Sequence, residues 1–224
     1  PFAFGRLGKA NFSLSSTDTL VYIPPQSRNE NILVWVDRDG QSSQATEWRT
    51  QHHTPRLSPN RHYITVVIRS GILSRQIWTY NLENGTRVKF ALEGNDNRSP
   101  VWTEGGRELA FASNRSGPQN IYQKPFQRDS ETQLLASTGD AMNPTSWSTE
   151  ARILAFYTVS TNADRDIWTL QPKGKPKAFL TGPLNERSPM ISPDGRFIAY
   201  VSGSVGESTV HIASYPNPKM APSI

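Results

Sequence analysis

The chain repeats itself, and the period limits what it can fold into more tightly than any other feature. Apolar tripeptides recur at Leu20-Val-Tyr22, Ile64-Thr-Val66, Leu109-Ala-Phe111, Leu154-Ala-Phe156 and Ile198-Ala-Tyr200, spaced by 44, 45, 45 and 44 residues. An apolar residue ahead of each keeps step at Leu14, Leu57, Trp102, Trp147 and Ile191. A third register follows at Leu33, Ile77, Ile121, Ile167 and Val210, often with a large aromatic next to it, as in Trp78, Tyr122 and Trp168. Three registers held over five copies mark an array of structural units rather than a sequence that drifted into similarity.

Within each copy the turn residues cut the chain into four short strands. The clearest copy is Ser188-Pro-Met-Ile-Ser-Pro-Asp-Gly-Arg-Phe-Ile-Ala-Tyr200, in which Ser192-Pro-Asp-Gly195 joins two apolar pieces. Proline presets φ, aspartate bonds back to its own backbone and glycine supplies φ > 0, so this reads as a tight turn between paired strands. Looser loops follow the second strand, as at Ser113-Asn-Arg-Ser-Gly-Pro118. Turns such as Asp37-Arg-Asp-Gly40 and Pro172-Lys-Gly174 follow the third, and a last apolar piece such as Gln133-Leu-Leu135 or Ala178-Phe-Leu180 closes the unit. Four strands in about 44 residues is the period of a β-propeller blade.

The expected fold is therefore all-β, a β-propeller of four-stranded blades with five repeats, at roughly 12–46, 54–92, 99–136, 143–181 and 188–224, in one domain over 1–224. No window sustains a helical period across the 15 Gly and 17 Pro, and a β-sandwich would not need the same residues at a fixed spacing. Nearly continuous apolar strands fit sheets buried on both faces. Trp102 and Trp147 are expected between blades. Residues 1–10 are read as an additional outer strand and 219–224 as the last strand of the fifth blade. The chain begins at Pro1 without Met, and is read as a piece of a longer protein and a segment of a six- or seven-bladed ring. Open blade edges are expected to favour self-association.

Charge and composition exclude more than they assign. The 24 Lys+Arg against 19 Asp+Glu give a formal +5, but the basic residues are scattered through turns rather than gathered in a nucleic-acid stripe, and no nucleic acid is expected as a partner. With no cysteine there are no disulfides, zinc-cysteine sites or thiol nucleophiles. No apolar run approaches the ~20 residues of a membrane span. Gly-x-Ser-x-Gly is absent, as is a Gly-Lys-Ser/Thr phosphate loop, and no Asp-rich loop has calcium spacing. Asp164 and Asp166 are ordinary turn residues. The expectation is no catalytic residue, no metal ligand and no cofactor.

What remains is positional. The segments leading into the first strand of each blade differ from copy to copy: His52 and His53, then Asp96, Asn97 and Arg98, then Asp140 and Asn143, then Glu186 and Arg187. In a propeller such segments converge on one end of the channel, and binding residues favour loops held on a rigid scaffold. These nine are the expected binding rim. His52 and His53 lie on opposite sides of an extended segment, so they cannot together grip one metal, and they read as a solvated loop pair.

The repeat resembles that of the TolB-like β-propellers, a WD-repeat-like bacterial family. The residues carrying the resemblance are 188–200 above, Ser99-Pro-Val-Trp-Thr103, and Phe111-Ala-Ser-Asn-Arg-Ser-Gly117 followed by Ile121-Tyr122; it covers about Phe12 to Tyr215. Leu33-Val-Trp-Val-Asp-Arg-Asp-Gly40 and Asp166-Ile-Trp168 also look like the extracytoplasmic propeller segments of some bacterial serine/threonine kinases. The resemblance implies a periplasmic or otherwise extracytoplasmic, non-enzymatic binding or scaffold propeller with a protein, peptide or glycan partner. The alternative it implies is an accessory or sensor propeller of a larger multidomain enzyme or receptor kinase. Thr103-Glu-Gly and Ser148-Thr-Glu-Ala depart from the Ser-Pro-Asp-Gly turn, which should alter the turns and leave the fold intact.

Overall fold

The computed structural model describes residues 12–14, 20–22, 30–70, 74–126, 130–203 and 207–219. The two terminal strand expectations, at 1–10 and beyond 219, fall outside them. Among the described residues the chain is all strand and turn, apart from one 3-10 turn at Glu104–Gly106.

Every repeat is an antiparallel meander whose strands lie side by side in chain order. Blade 1 consists of β1 (Phe12–Leu14), β2 (Leu20–Tyr22), β3 (Val34–Val36) and β4 (Ser42–Gln44). In blade 2 the strands are β5 (His52–Leu57), β6 (Tyr63–Arg69), β7 (Arg75–Asn81) and β8 (Arg87–Lys89). Blade 3 is built from β9 (Asn97–Thr103), β10 (Glu108–Ser113), β11 (Asn120–Pro125) and β12 (Gln133–Ala136). Blade 4 follows with β13 (Ala141–Ser148), β14 (Ile153–Val159), β15 (Ile167–Leu170) and β16 (Lys177–Leu180). Blade 5 has three strands among the described residues, β17 (Arg187–Ile191), β18 (Phe197–Ser202) and β19 (Thr209–Ser214). All five repeated tripeptides form second strands, as the period required.

The chain forms two compact units, residues 1–100 and 101–224. In the first, Val21, Leu33, Leu57, Ile64 and Val66 make one core joining blades 1 and 2, with Trp35, Trp48 and Trp78 packed on it. In the second, Val101, Ala110, Ile121, Met142, Leu154 and Phe156 join blades 3 and 4. Ile167, Phe179, Ile198, Tyr200 and Ala213 join blades 4 and 5. The second strands β6 and β14 are buried over four and six consecutive residues, which explains their lack of alternation. Each fully buried Ile, Leu or Phe contributes about 1.5–3 kcal/mol. Trp147 packs against the core shared by blades 3 and 4, as expected of a residue between blades, and Trp102 is buried edge-on to Phe126 of its own blade at 4.8 Å.

The tight turn is the same object in two chemistries. In blade 5 Ser192 Oγ donates to Asp194 Oδ1 (2.6 Å) and accepts from the Phe197 N–H (3.0 Å), and Arg196 N–H donates to Asp194 Oδ1 (3.1 Å). In blade 2 Ser58 and Asn60 make the corresponding bonds at 2.7, 3.0 and 3.2 Å. Gly195 sits at φ +70°, and Arg61 holds the equivalent place at φ +64°. In blade 3 the variant Thr103-Glu-Gly becomes the 3-10 turn, and in blade 4 Ser148 Oγ accepts from the Ala151 N–H at 3.1 Å.

A second device lies inside the first strands. Thr54, Ser99 and Ser188, each followed by proline, have φ of 44°, 55° and 56°. The register of the first strand slips at His53/Arg56, Pro144/Ser146 and Arg187/Met190. These are β-bulges, which bend a strand and increase its twist. The Ser-Pro of the signature is thus the bulge itself.

Candidate functional site

The repeat aligns His52, Asn97, Met142 and Glu186, each five residues ahead of the signature residues Leu57, Trp102, Trp147 and Ile191. All four are buried. Each is held by the residue that leads into the third strand of the preceding blade, so every approach segment is latched about 21 residues back.

His52 is fixed by Asn31. Its N–H donates to Asn31 Oδ1 (3.1 Å), and its Nδ1 lies 3.2 Å from Asn31 O and 3.1 Å from Asn31 Oδ1. Both partners are acceptors, so Nδ1 carries the proton and Nε2 is a bare lone pair. Trp48 closes over the ring edge-on at 5.1 Å. Burial lowers the His52 pKa to about 4, against the Asn31 hydrogen bond, which raises it, while the neighbouring His53 lowers it further. His52 is therefore no solvated loop residue: it begins β5 with no exposed surface. The sequence reading assigned the pair to a loop because it could not see Asn31 and Trp48 arriving from blade 1. His53 does face solvent on the opposite side, as the extended backbone requires. Partial desolvation, then Arg69 and Arg75, lower its pKa.

The blade 3 approach carries the strongest polar latch. Arg75 Nε and Nη2 grip buried Asp96 at 2.7 and 2.8 Å, with Arg98 Nη1 at 3.7 Å from the same carboxylate. One residue on, Asn97 Nδ2 donates to Gln76 Oε1 (3.0 Å) and Glu93 O (2.8 Å). Gln76 in turn donates to Gly94 O and Asn95 O, so the loop backbone is satisfied by side chains from β7.

In the second unit the latch is mostly backbone. Met142 N–H donates to Gln119 O (2.7 Å) and Glu186 N–H to Arg165 O (3.0 Å), while Arg165 Nη1 reaches Asn185 Oδ1 at 3.3 Å. Burial raises the Glu186 pKa against its own backbone hydrogen bond, and the nearby Asp166 charge adds to the rise. Asn143 is buried in β13, opposite Tyr157, and Asp140 lies half-buried just before that strand. Arg187 Nη2 donates to Ser208 Oγ at 2.7 Å. Of the nine rim residues, then, His52, Asp96, Asn97, Asn143 and Glu186 are buried, and His53, Arg98, Asp140 and Arg187 retain accessible surface.

His52 Nε2, Asn97 Oδ1 and Glu186 Oε2 are buried atoms that no donor reaches among the described residues. The latching residues Asn31, Arg75, Gln76 and Arg165 were missed in the sequence. Their signal was available, since each stands one or two places before the third-strand residues Leu33, Ile77 and Ile167. Among the described residues no group of three or more His, Asp or Glu is placed to hold a metal ion. The other histidines are local: His62 contacts Glu83, and His211 stacks on Tyr200 with centroids 5.6 Å apart. At the far end of the strands in unit two, Glu104, Arg107, Trp147, Thr149 and Arg152 line an open cleft of about 440 Å³, with Arg152 Nη2 3.3 Å from Glu104 Oε1.

Four-strand meanders repeated every 44 or 45 residues, packed face to face and latched at each approach, define a β-propeller. Residues 10–217 match the TolB beta propeller domain, and the chain belongs to that family. No curated protein matches it in sequence. In fold it is similar to TolB from Acinetobacter baumannii (TM-score 0.78, 15% identity), with 95% of this chain and 54% of that one aligned. A putative TolB from Agrobacterium tumefaciens is similar at TM-score 0.78 and 15% identity, over 94% and 78% of the two chains. A puromycin-hydrolyzing peptidase from Mycobacterium tuberculosis is similar at TM-score 0.69 and 14% identity, over 95% of this chain and 37% of the peptidase. The chain thus spans about half the length of the Acinetobacter TolB. No helix among the described residues is long and apolar enough to cross a membrane.

Proposed function

We propose that this chain is a binding module without catalytic chemistry of its own, presenting the approach segments at one mouth of the propeller channel to a protein, peptide or glycan partner. One observation carries the reading. In three of the approaches a buried, latched residue stands beside a position that keeps accessible surface, His53, Arg98 and Arg187 following His52, Asn97 and Glu186, while Asn143 after Met142 is itself buried. Rigid backbone carrying variable side chains is what a recognition surface needs. The TolB relationship supports an extracytoplasmic address for the protein and a partner-binding rather than catalytic role.

The test is affinity capture from an envelope extract by the wild-type chain and by His53→Ala/Arg98→Ala/Arg187→Ala, three positions with accessible surface; Arg75 still grips Asp96 when Arg98 is removed. Capture of a partner by the wild type and its loss in the variant, at equal melting temperature, supports the rim. Equal capture by both removes it.

The similarity to a peptidase in which the aligned propeller accounts for 37% of the chain favours a second reading. Here the module is an accessory or sensor propeller of a larger enzyme or receptor kinase. Sequencing the gene on both sides of the region encoding this chain decides between them: catalytic motifs in the same reading frame establish the second reading.

A further inference from the structure

The signature turn carries an arginine in blades 3, 4 and 5. Arg107, Arg152 and Arg196 stand five residues after Trp102, Trp147 and Ile191. In blade 5 the turn supplies its own partner, with Arg196 Nε donating to Asp194 Oδ2 at 2.6 Å. Blades 3 and 4 lack that aspartate and have Gly105 and Glu150 in its place. Their two arginines converge instead on one carboxylate: Arg152 Nη2 lies 3.3 Å from Glu104 Oε1, and Arg107 Nη2 lies 3.8 Å from Glu104 Oε2. These contacts are looser than the grip of Arg75 on Asp96 at 2.7 and 2.8 Å. Beyond Glu104 neither guanidinium meets an acceptor among the described residues. The space around them is open. At the same level between blades 4 and 5 the junction is filled, since a Cβ at Gly195 would stand 2.6 Å from Ala151 Cβ. Between blades 3 and 4 a Cβ at Gly105 would meet nothing within 4 Å, and the cleft lined by these turns and by Trp147 holds about 440 Å³. That lies in the ~300–1,000 Å³ range of ligand sites. Trp147 is its aromatic wall, half-buried and anchored in the core of blades 3 and 4.

We propose that this cleft binds the C-terminal residue of a peptide, one that ends in an apolar side chain. The charges select that ligand. Two guanidiniums face one carboxylate, so the cleft lacks one negative charge. Glu150, the other acidic residue of the two turns, stands exposed and does not line the cleft. A terminal carboxylate supplies the missing charge and takes N–H groups that the Arg107 and Arg152 forks leave unused, as charge-assisted bonds. The Cα that bears this carboxylate also bears a neutral amide N–H, which donates to Glu104, because a carboxylate has about four acceptor sites and the arginines occupy only two. A free amino acid would bring an ammonium, a third cation, and leave the charge unbalanced; a phosphate dianion would overshoot it. The last side chain packs on Trp147, and the open side of the cleft lets the rest of the peptide leave toward solvent. The site stands at the end of β13 opposite Ala141, where the approach segment enters, and so is separate from the proposed rim.

Protein-observed NMR of the chain tests this, with N-acetylated Gly-Ser-Gly-Phe carrying a free C-terminal carboxylate as the probe. The expectation is saturable shifts of the Trp147 indole and of the Arg107 and Arg152 Nε–H signals, with a Kd on the order of 1 mM or tighter. Capping the carboxylate as an amide should weaken binding at least ~10-fold, and so should Arg107→Gln or Arg152→Gln. The two arginine side chains are 80 and 65% exposed, so these variants keep the fold. Arg196→Gln removes the equivalent arginine of the blade 5 turn and should bind like the wild type. Equal binding of the acid and the amide, unchanged binding by both cleft variants, or a loss in Arg196→Gln as large as theirs would each overturn the inference. So would free phenylalanine or inorganic phosphate binding as tightly as the peptide, or no shift at about 10 mM peptide.

Discussion

Gly195→Ala isolates what the signature turn contributes to blade packing. A Cβ at Gly195 would lie 2.6 Å from Ala151 Cβ, 3.1 Å from Ser148 Oγ and 3.2 Å from Ala151 N. Ala151 has no rotamer to change, and Ser148 Oγ is tied to the Ala151 N–H, so the strain cannot be relieved by a side chain swinging away. Two costs add. An L-residue at φ +70° loses about 1 kcal/mol relative to glycine, and forcing a methyl into a filled contact costs about 1–3 kcal/mol more. Gly105 supplies the control, since it has nearly the same φ, +68°, and nothing within 4 Å of an added Cβ. For a chain of this length about 1 kcal/mol moves Tm by roughly 2–4 °C. Gly195→Ala should therefore lower Tm by roughly 4–16 °C, and Gly105→Ala by roughly 2–4 °C. Thermal melts and urea titrations followed by tryptophan fluorescence measure both. Adding Ala151→Gly to Gly195→Ala should restore most of the packing cost while leaving the backbone cost, a coupling that a double-mutant cycle resolves. If the two alanine variants melt together, the blade 4 contact is not what makes glycine necessary at 195.

Two other outcomes follow from the same geometry. The folded chain holds His52 neutral down to about pH 4 while the unfolded chain protonates it near 6.5, so the unfolded state binds the extra proton between those values. Stability is then full above pH 6.5 and falls as pH drops toward 4, by up to about 3 kcal/mol. Urea midpoints should show this slope in the wild type and a flatter one in His52→Gln; parallel profiles would refute the assignment. Arg61→Gly, which puts glycine where blade 2 holds arginine at φ +64°, should raise stability by about 0.5–1 kcal/mol. A lower melting point would mean that the arginine side chain outweighs the backbone relief.

The latches explain why the approach segments look variable in sequence yet cannot vary freely. Asp96 is buried and needs Arg75, whereas Met142 occupies the corresponding region with a backbone bond alone. Each blade has solved the same junction with different chemistry. A substitution at one of these positions will report first on folding, so the proposed recognition surface is to be tested at the accessible neighbours His53, Arg98, Asp140 and Arg187.

Local chemistry was legible in the residues themselves. Strand identity, turn position and blade period followed from apolar tripeptides and from Ser-Pro-Asp-Gly, because a turn is made by neighbours in the chain and its bonds span two to five residues. The interchange of Asp194 with Asn60 was likewise readable as turn-forming rather than catalytic, and the two make matching bonds. What only tertiary structure decided was burial and partnership. His52 and His53 are adjacent and identical in type, yet one is sealed by Asn31 and Trp48 from the previous blade and the other faces water. Ile167 and Val210 share a register and a chemistry, yet one is enclosed by the following blade and the other stands 71% exposed. A repeat specifies the same strand each time, but whether its face is covered depends on which sheet lies against it, and a one-dimensional period carries no information about that.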